Sequence, residues 1–91
     1  MPIILTLLTK PGCHLCETAE AAVASTIESF RRSRANQIAI EFEIKNILDD
    51  AELQKRYAEE IPVLLIDGLV HNYWRIDQDR LMAALEAAAK S

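Results

Sequence analysis

The chain is poor in the residues that mark several large function classes. Only two cysteines, Cys13 and Cys16, occur in its 91 residues, too few for the framework of bridges that staples small secreted domains. Cations are outnumbered: ten Lys and Arg against 14 Asp and Glu leave a net charge of −4. That deficit argues against nucleic-acid binding, which needs Lys and Arg gathered on one face. The one basic cluster, Arg31, Arg32 and Arg34, ends a predicted helix, where positive charge suits the dipole. No apolar run approaches the roughly 18 residues that a membrane span requires. Met1 to Leu8 lacks the basic start and the length of a secretory signal and reads as a buried strand. There are no repeats, no low-complexity tract and no linker.

What remains is a chain with an apolar share of 51%, enough for one modest core and one domain over residues 1–91. A lone pair of closely spaced cysteines points to a reducing, cytoplasmic setting and to catalysis or metal binding rather than a structural staple. The expected state is a monomer.

The pair sits in Lys10-Pro11-Gly12-Cys13-His14-Leu15-Cys16, where an apolar run gives way to helical spacing. Positions three apart share a helix face, so the two sulfurs can meet with little backbone movement. Cys13 falls at the first helical turn, whose unpaired N–H groups favour a thiolate. Cys13 is therefore assigned the attacking role, and Cys16, one turn further on the buried face, the resolving role. His14, when protonated, adds positive charge that favours a Cys13 thiolate, while Glu17 opposes it. Leu15 falls off the buried stripe and offers apolar surface beside the pair. A closed zinc site needs four ligands, and His14 and His71 are badly placed to complete one, so no metal is assigned.

In chain order, Ile3, Ile4, Leu5, Leu7 and Leu8 form a strand buried on both faces. Pro11-Gly12 breaks it. From Cys13 to about Arg34, Cys16, Ala19, Val23, Ile27 and Phe30 follow helical spacing. Ala35-Asn36-Gln37 ends that helix, and Ile38, Ile40, Phe42 and Ile44 alternate with polar residues as a strand near a sheet edge. Asp49 to Glu52 has the spacing of a helix cap, followed by the apolar pair Leu53 and Tyr57. Ile61 to Ile66 and Leu69 to Trp74 flank Asp67-Gly68, a strong hairpin signal. Tyr73 and Trp74 are read as core or rim residues at the sheet end. Asp77 caps a last helix with Leu81, Ala84, Leu85 and Ala88 on one face. The order is β-α-β-α-β-β-α. A right-handed crossover makes the first two strands parallel and the hairpin supplies the antiparallel half. The outcome is an α/β fold with a four-stranded mixed sheet and helices on both faces, the first and third helices on one and the second on the other.

This arrangement, with Thr9-Lys10-Pro11-Gly12-Cys13-His14-Leu15-Cys16 opening a helix, Ile61-Pro62 entering a later strand and Asp67-Gly68 turning a hairpin, resembles the thioredoxin fold in its short glutaredoxin form. It is most similar to the small bacterial glutaredoxin-like branch. The resemblance implies a thiol–disulfide oxidoreductase acting on disulfide-containing proteins or glutathione adducts, with no bound cofactor and with glutathione or a reductase returning the dithiol. It implies that Pro62 is cis and faces the cysteines, and that the Ile61 backbone pairs with substrate. Lys10 matches the lysine that in glutaredoxins lowers the pKa of the attacking cysteine and meets a glutathione carboxylate.

The chain also departs from glutaredoxins. Their Gly-Gly pair and following acidic residue are replaced by Asn72-Tyr73-Trp74-Arg75-Ile76-Asp77. By the resemblance Asp77 keeps the acidic substrate contact at the place where glutaredoxins bind the glutamyl end of glutathione, whereas Tyr73 and Trp74 are bulky where glycines permit close approach. Two other function classes remain open. A metal or iron–sulfur carrier would show visible absorbance or stoichiometric metal. A non-catalytic binding module would have thiols no more reactive than free cysteine.

Overall fold

Two apolar runs lie side by side at the centre of a four-stranded sheet: β1 (Ile3–Thr9) and β3 (Val63–Ile66). The computed structural model describes residues 2–34 and 39–90. On the far side of β1 runs the edge strand β2 (Ile40–Asn46), in parallel register from Ile3 opposite Ile40 to Thr9 opposite Asn46. On the far side of β3 lies β4 (Leu69–Tyr73), antiparallel to it. Helix α1 (His14–Arg34) joins β1 to β2, and α3 (Gln78–Lys90) closes the chain. Between β2 and β3 come a 3-10 turn, Ile47–Asp49, and the short helix α2 (Ala51–Tyr57).

Alternation along β1 sends Ile3, Leu5 and Leu7 to one face of the sheet. There they join Ala19, Val23, Ile27 and Phe30 of α1, Ile40 of β2, Leu64 of β3, and Leu81 and Leu85 of α3 in the larger core cluster. Phe30, Leu81 and Leu85 are fully buried, and each contributes on the order of 1.5–3 kcal/mol through removal from water. The α1 stripe is as its spacing predicts, with one addition: buried Thr26 donates its hydroxyl to the Ala22 carbonyl at 2.8 Å. Past the end of this face, the Arg31 guanidinium donates to the Ile40 carbonyl at 3.0 Å and Arg32 pairs with Glu28. Both arginines act as helix-end groups.

The opposite face carries a smaller cluster of Leu8, Cys16, Ile47, Ile61 and Val63, over which Leu53 and Tyr57 of α2 pack. With only seven residues, α2 covers that face near the cysteines and no further. Ile4, on the same face of β1, is therefore 40% exposed, which corrects the expectation of a strand buried on both sides. Thr6 is buried there because its hydroxyl reaches Glu43 Oε1 at 3.0 Å. Ile44, expected to point inward, is 45% exposed on the edge strand. Ala35 to Ile38 lie outside the described residues.

Local chemistry sets the connections. The cap of α2 is Asp50 rather than Asp49: its carboxylate accepts from the N–H groups of Glu52 and Leu53, while Asp49 closes the 3-10 turn. Asp67 and Gly68 both have positive φ, 49° and 83°, the combination that lets a two-residue hairpin follow the strand twist. Asp67 also exchanges two hydrogen bonds with the Ile4 backbone, through its own N–H and its carboxylate. The register of the hairpin shifts between Leu64 opposite Asn72 and Leu65 opposite Val70, leaving His71 as the extra residue of a bulge. Asp77 caps α3, accepting from the Arg80 N–H at 3.0 Å.

Candidate active site

The two cysteines stand at the C-terminal end of β1, where the chain turns from the sheet into α1. Gly12 makes that turn with φ of +75°, and a side chain there would meet no atom within 4 Å. Glycine is needed for its backbone freedom, not for space. Cys13 then occupies the capping position of α1. Its carbonyl accepts from the Glu17 N–H at 3.3 Å and its Sγ accepts from the Cys16 N–H at 3.1 Å. A sulfur so placed meets one of the unpaired donors of the first helical turn and the positive end of the helix dipole.

Cys13 and Cys16 are joined as a disulfide with Cα atoms 5.2 Å apart, an ordinary separation for a bridge. The two sulfurs are not equivalent in access. Cys13 is partly exposed, whereas Cys16 is 4% exposed and belongs to the cluster roofed by α2. Cys13 packs against that same cluster, which contains Ile61 and Val63, the neighbours of Pro62 on either side. The Ile61–Pro62 peptide is cis, and both residues are buried. Thus the structure brings Cys13, Cys16, Ile61 and Pro62 into one neighbourhood.

Lys10 is exposed and lines a small recess, about 170 Å³, together with Pro11, Cys13, Cys16, Glu17 and Glu20. The His14 side chain is fully exposed, with Nδ1 3.9 Å from Glu17 Oε2. Asp77 lies apart from this recess, its carboxylate engaged as the α3 cap. Among the described residues, no three His, Cys, Asp or Glu side chains converge as a metal site, and no helix is long and apolar enough to cross a membrane.

One element of the site has no signature in the sequence. Trp74 has φ of 58°, a left-handed conformation unusual for a bulky residue. Its N–H donates to the Pro62 carbonyl at 2.7 Å and its indole N–H to the Glu59 carbonyl at 3.3 Å. Trp74 is 53% exposed, so it is a rim residue, and it lines a groove shared with Leu15 and Ala19 of α1. Nothing in a Tyr-Trp-Arg string signals a left-handed residue. The sequence clues to the groove are Leu15, off the buried stripe, and the bulky Tyr73 and Trp74 where glutaredoxins carry glycines.

The profile of the family described as Glutaredoxin-like domain (DUF836) matches residues 4–86. The chain belongs to this glutaredoxin-like family. A relative from Dictyostelium discoideum, named a glutaredoxin-like protein, is 33% identical over 89 residues, spanning 92% of this chain and 76% of its own. An X-ray structure of a structural-genomics target from X. campestris is 35% identical with a TM-score of 0.66, covering 91% of this chain and 96% of that one. The oxidised thioredoxin of Plasmodium falciparum is 10% identical with a TM-score of 0.59, over 96% of this chain and 81% of that one. The last likeness concerns the fold alone. This glutaredoxin-like domain accordingly has the thioredoxin-like α/β fold, a mixed four-stranded sheet with three helices. It carries its cysteine pair as a disulfide at the start of α1.

Proposed function

We propose that the chain is a thiol–disulfide oxidoreductase in which Cys13 attacks and Cys16 resolves. The observation that carries this reading is the asymmetry of the pair: Cys13 is partly exposed and its Sγ accepts from the Cys16 N–H, while Cys16 is buried. In the reduced protein the same N–H and helix end favour a Cys13 thiolate, and exchange rate follows thiolate fraction and access.

The Cys13 thiolate attacks one sulfur of a substrate disulfide. The Cys13–substrate bond forms, the substrate bond breaks, and the departing thiolate takes a proton from water. Cys16 then loses its proton and attacks Cys13 Sγ, forming the intramolecular disulfide and releasing the second substrate thiol. Two electrons pass from the dithiol to the substrate. Two glutathione molecules, oxidised to their disulfide, or a dithiol reductase return the pair to the reduced state, so no bound cofactor is required.

Ile61 supplies the docking edge. Among the described residues its backbone has no hydrogen-bond partner, and the proline after it withholds an N–H, so an extended substrate segment can pair at Ile61. Lys10, exposed beside Cys13, offers a cation for a substrate carboxylate and for the thiolate; His14 adds to it when protonated. Asp77 offers an acidic contact for the glutamyl end of a glutathione adduct. The chain works as a monomer in a reducing cytoplasm.

The experiment is a trap. Reduced Cys16→Ser protein is mixed with a disulfide substrate and the adduct is identified by mass. The reading predicts a stable mixed disulfide on Cys13 in this variant and none in Cys13→Ser. Equal capture by the two variants would reverse or abolish the roles.

A further inference from the structure

Beside the cysteine pair, α1 and the connection from β4 to α3 enclose a groove of about 340 Å³, lined by Leu15, Ala19, Ala22, Trp74, Arg75 and Ile76 among others. We infer that this groove is a specificity site for a disulfide-bearing polypeptide with an apolar residue and a carboxylate beside its cysteine, in preference to glutathione. The inference rests on the redox reading above and names its substrate class.

Three observations support it. First, the groove adjoins the reacting centre through two of its lining residues: Leu15 stands between the two cysteines in the chain, and the Trp74 N–H donates to the Pro62 carbonyl. A chain paired at Ile61 with its sulfur at Cys13 therefore carries its neighbouring side chains toward this groove. Second, the walls are apolar and open, with Leu15 46% and Trp74 53% exposed. Covering them gains free energy only with an apolar side chain. Glutathione, built from glutamate, cysteine and glycine, brings none.

Third, charge gives the groove a direction. Arg75 is the one charged side chain in its lining and has no ion pair among the described residues. Glu17 and Glu20 line the recess on the other side of the same helix turns. Helical spacing separates the two sets, since Leu15 and Ala22 flank one side of the buried stripe that holds Cys16 and Ala19, and Glu17 and Glu20 flank the other. In that recess Lys10 is offset by Glu17 and Glu20, whereas no acidic side chain shares the groove with Arg75, so a substrate carboxylate is drawn more strongly toward Arg75 and the flank that carries it lies in the groove.

The test uses the full reduced chain and four oxidants: glutathione disulfide and symmetrical disulfide dimers of three short peptides. The peptides carry Leu and Asp, Ser and Asp, or Leu and Lys beside one cysteine. The second-order rate of disulfide transfer to the protein is measured for each. The Leu-Asp dimer is expected to react roughly tenfold faster than the Ser-Asp dimer and glutathione disulfide. Over the Leu-Lys dimer its advantage is about threefold, the scale of an exposed ion pair. Trp74→Ala should erase the Leu preference, and Arg75→Glu should invert the Asp-Lys order. These are ratios within one protein sample, so a partly unfolded variant does not mimic them.

Equal rates for all four oxidants, or a faster reaction with glutathione disulfide, overturn the inference and leave the redox reading standing. No transfer from any oxidant overturns both. A dimer seen by sedimentation and dissolved by Trp74→Ala assigns the groove to a second copy of the chain and also overturns the inference.

Discussion

The Trp74 N–H donates to the carbonyl oxygen of Pro62 over 2.7 Å, and this bond ties the β4–α3 connection to the strand entry beside the cysteines. It holds Trp74 at φ of 58°, which a side chain with a Cβ resists by roughly 1–2 kcal/mol. Glycine has no such penalty. Trp74→Gly should therefore be more stable than Trp74→Ala by about 1 kcal/mol, the reverse of the order at an ordinary position. Urea midpoints of the two variants check this. An Ala variant at least as stable as the Gly variant would mean that the backbone at this position is not left-handed.

Asp50 holds the first turn of α2, with its carboxylate 2.9 Å from the Glu52 N–H. Asp50→Ala should lower stability by about 1 kcal/mol, the usual effect of losing a helix cap. Because Leu53 and Tyr57 of that helix pack over the cluster containing Cys16, the loosened roof should also speed alkylation of Cys16 in the reduced protein. Lost stability with unchanged Cys16 protection would show that something other than α2 shields the resolving sulfur.

His71 sits in the β4 bulge, half-buried, with its Nε2 out of contact with solvent and lacking a hydrogen-bond partner. Its pKa lies below the ordinary 6.5, because burial disfavours the cation and the nearby Arg80 repels it, with Asp77 partly offsetting both. The unfolded chain then binds a proton more readily than the folded one as pH falls through this window. His71 therefore contributes full stability above its ordinary pKa and loses it as pH drops toward the folded value. Urea unfolding between pH 7.5 and 5 should show a decline that is shallower in His71→Gln. Parallel curves would contradict the assignment.

Much of this was legible because it is local. The α1 stripe from Cys16 to Phe30, the Asp67-Gly68 turn and the Asp77 cap each depend on residues within a turn or two of one another. The parts not legible depend on contacts across the fold. Ile4 and Ile44 sit in patterns that promise burial, yet their exposure follows from how short α2 is and where the sheet ends. Thr26 breaks no helical rule and is buried because its hydroxyl finds the Ala22 carbonyl. The His71 bulge and the left-handed Trp74 have no local signature at all, and Trp74 is the residue that builds the wall of the groove beside the cysteines.

The proposed exchange requires two unequal sulfurs, and their alkylation measures that inequality directly. Reduced protein is treated briefly with limiting iodoacetamide at neutral pH, and modification at each cysteine is quantified by peptide mass. Cys13 is predicted to react faster than free cysteine and at least about tenfold faster than Cys16, as thiolate character and access require. Comparable rates at the two positions, or faster modification of Cys16, would contradict the account.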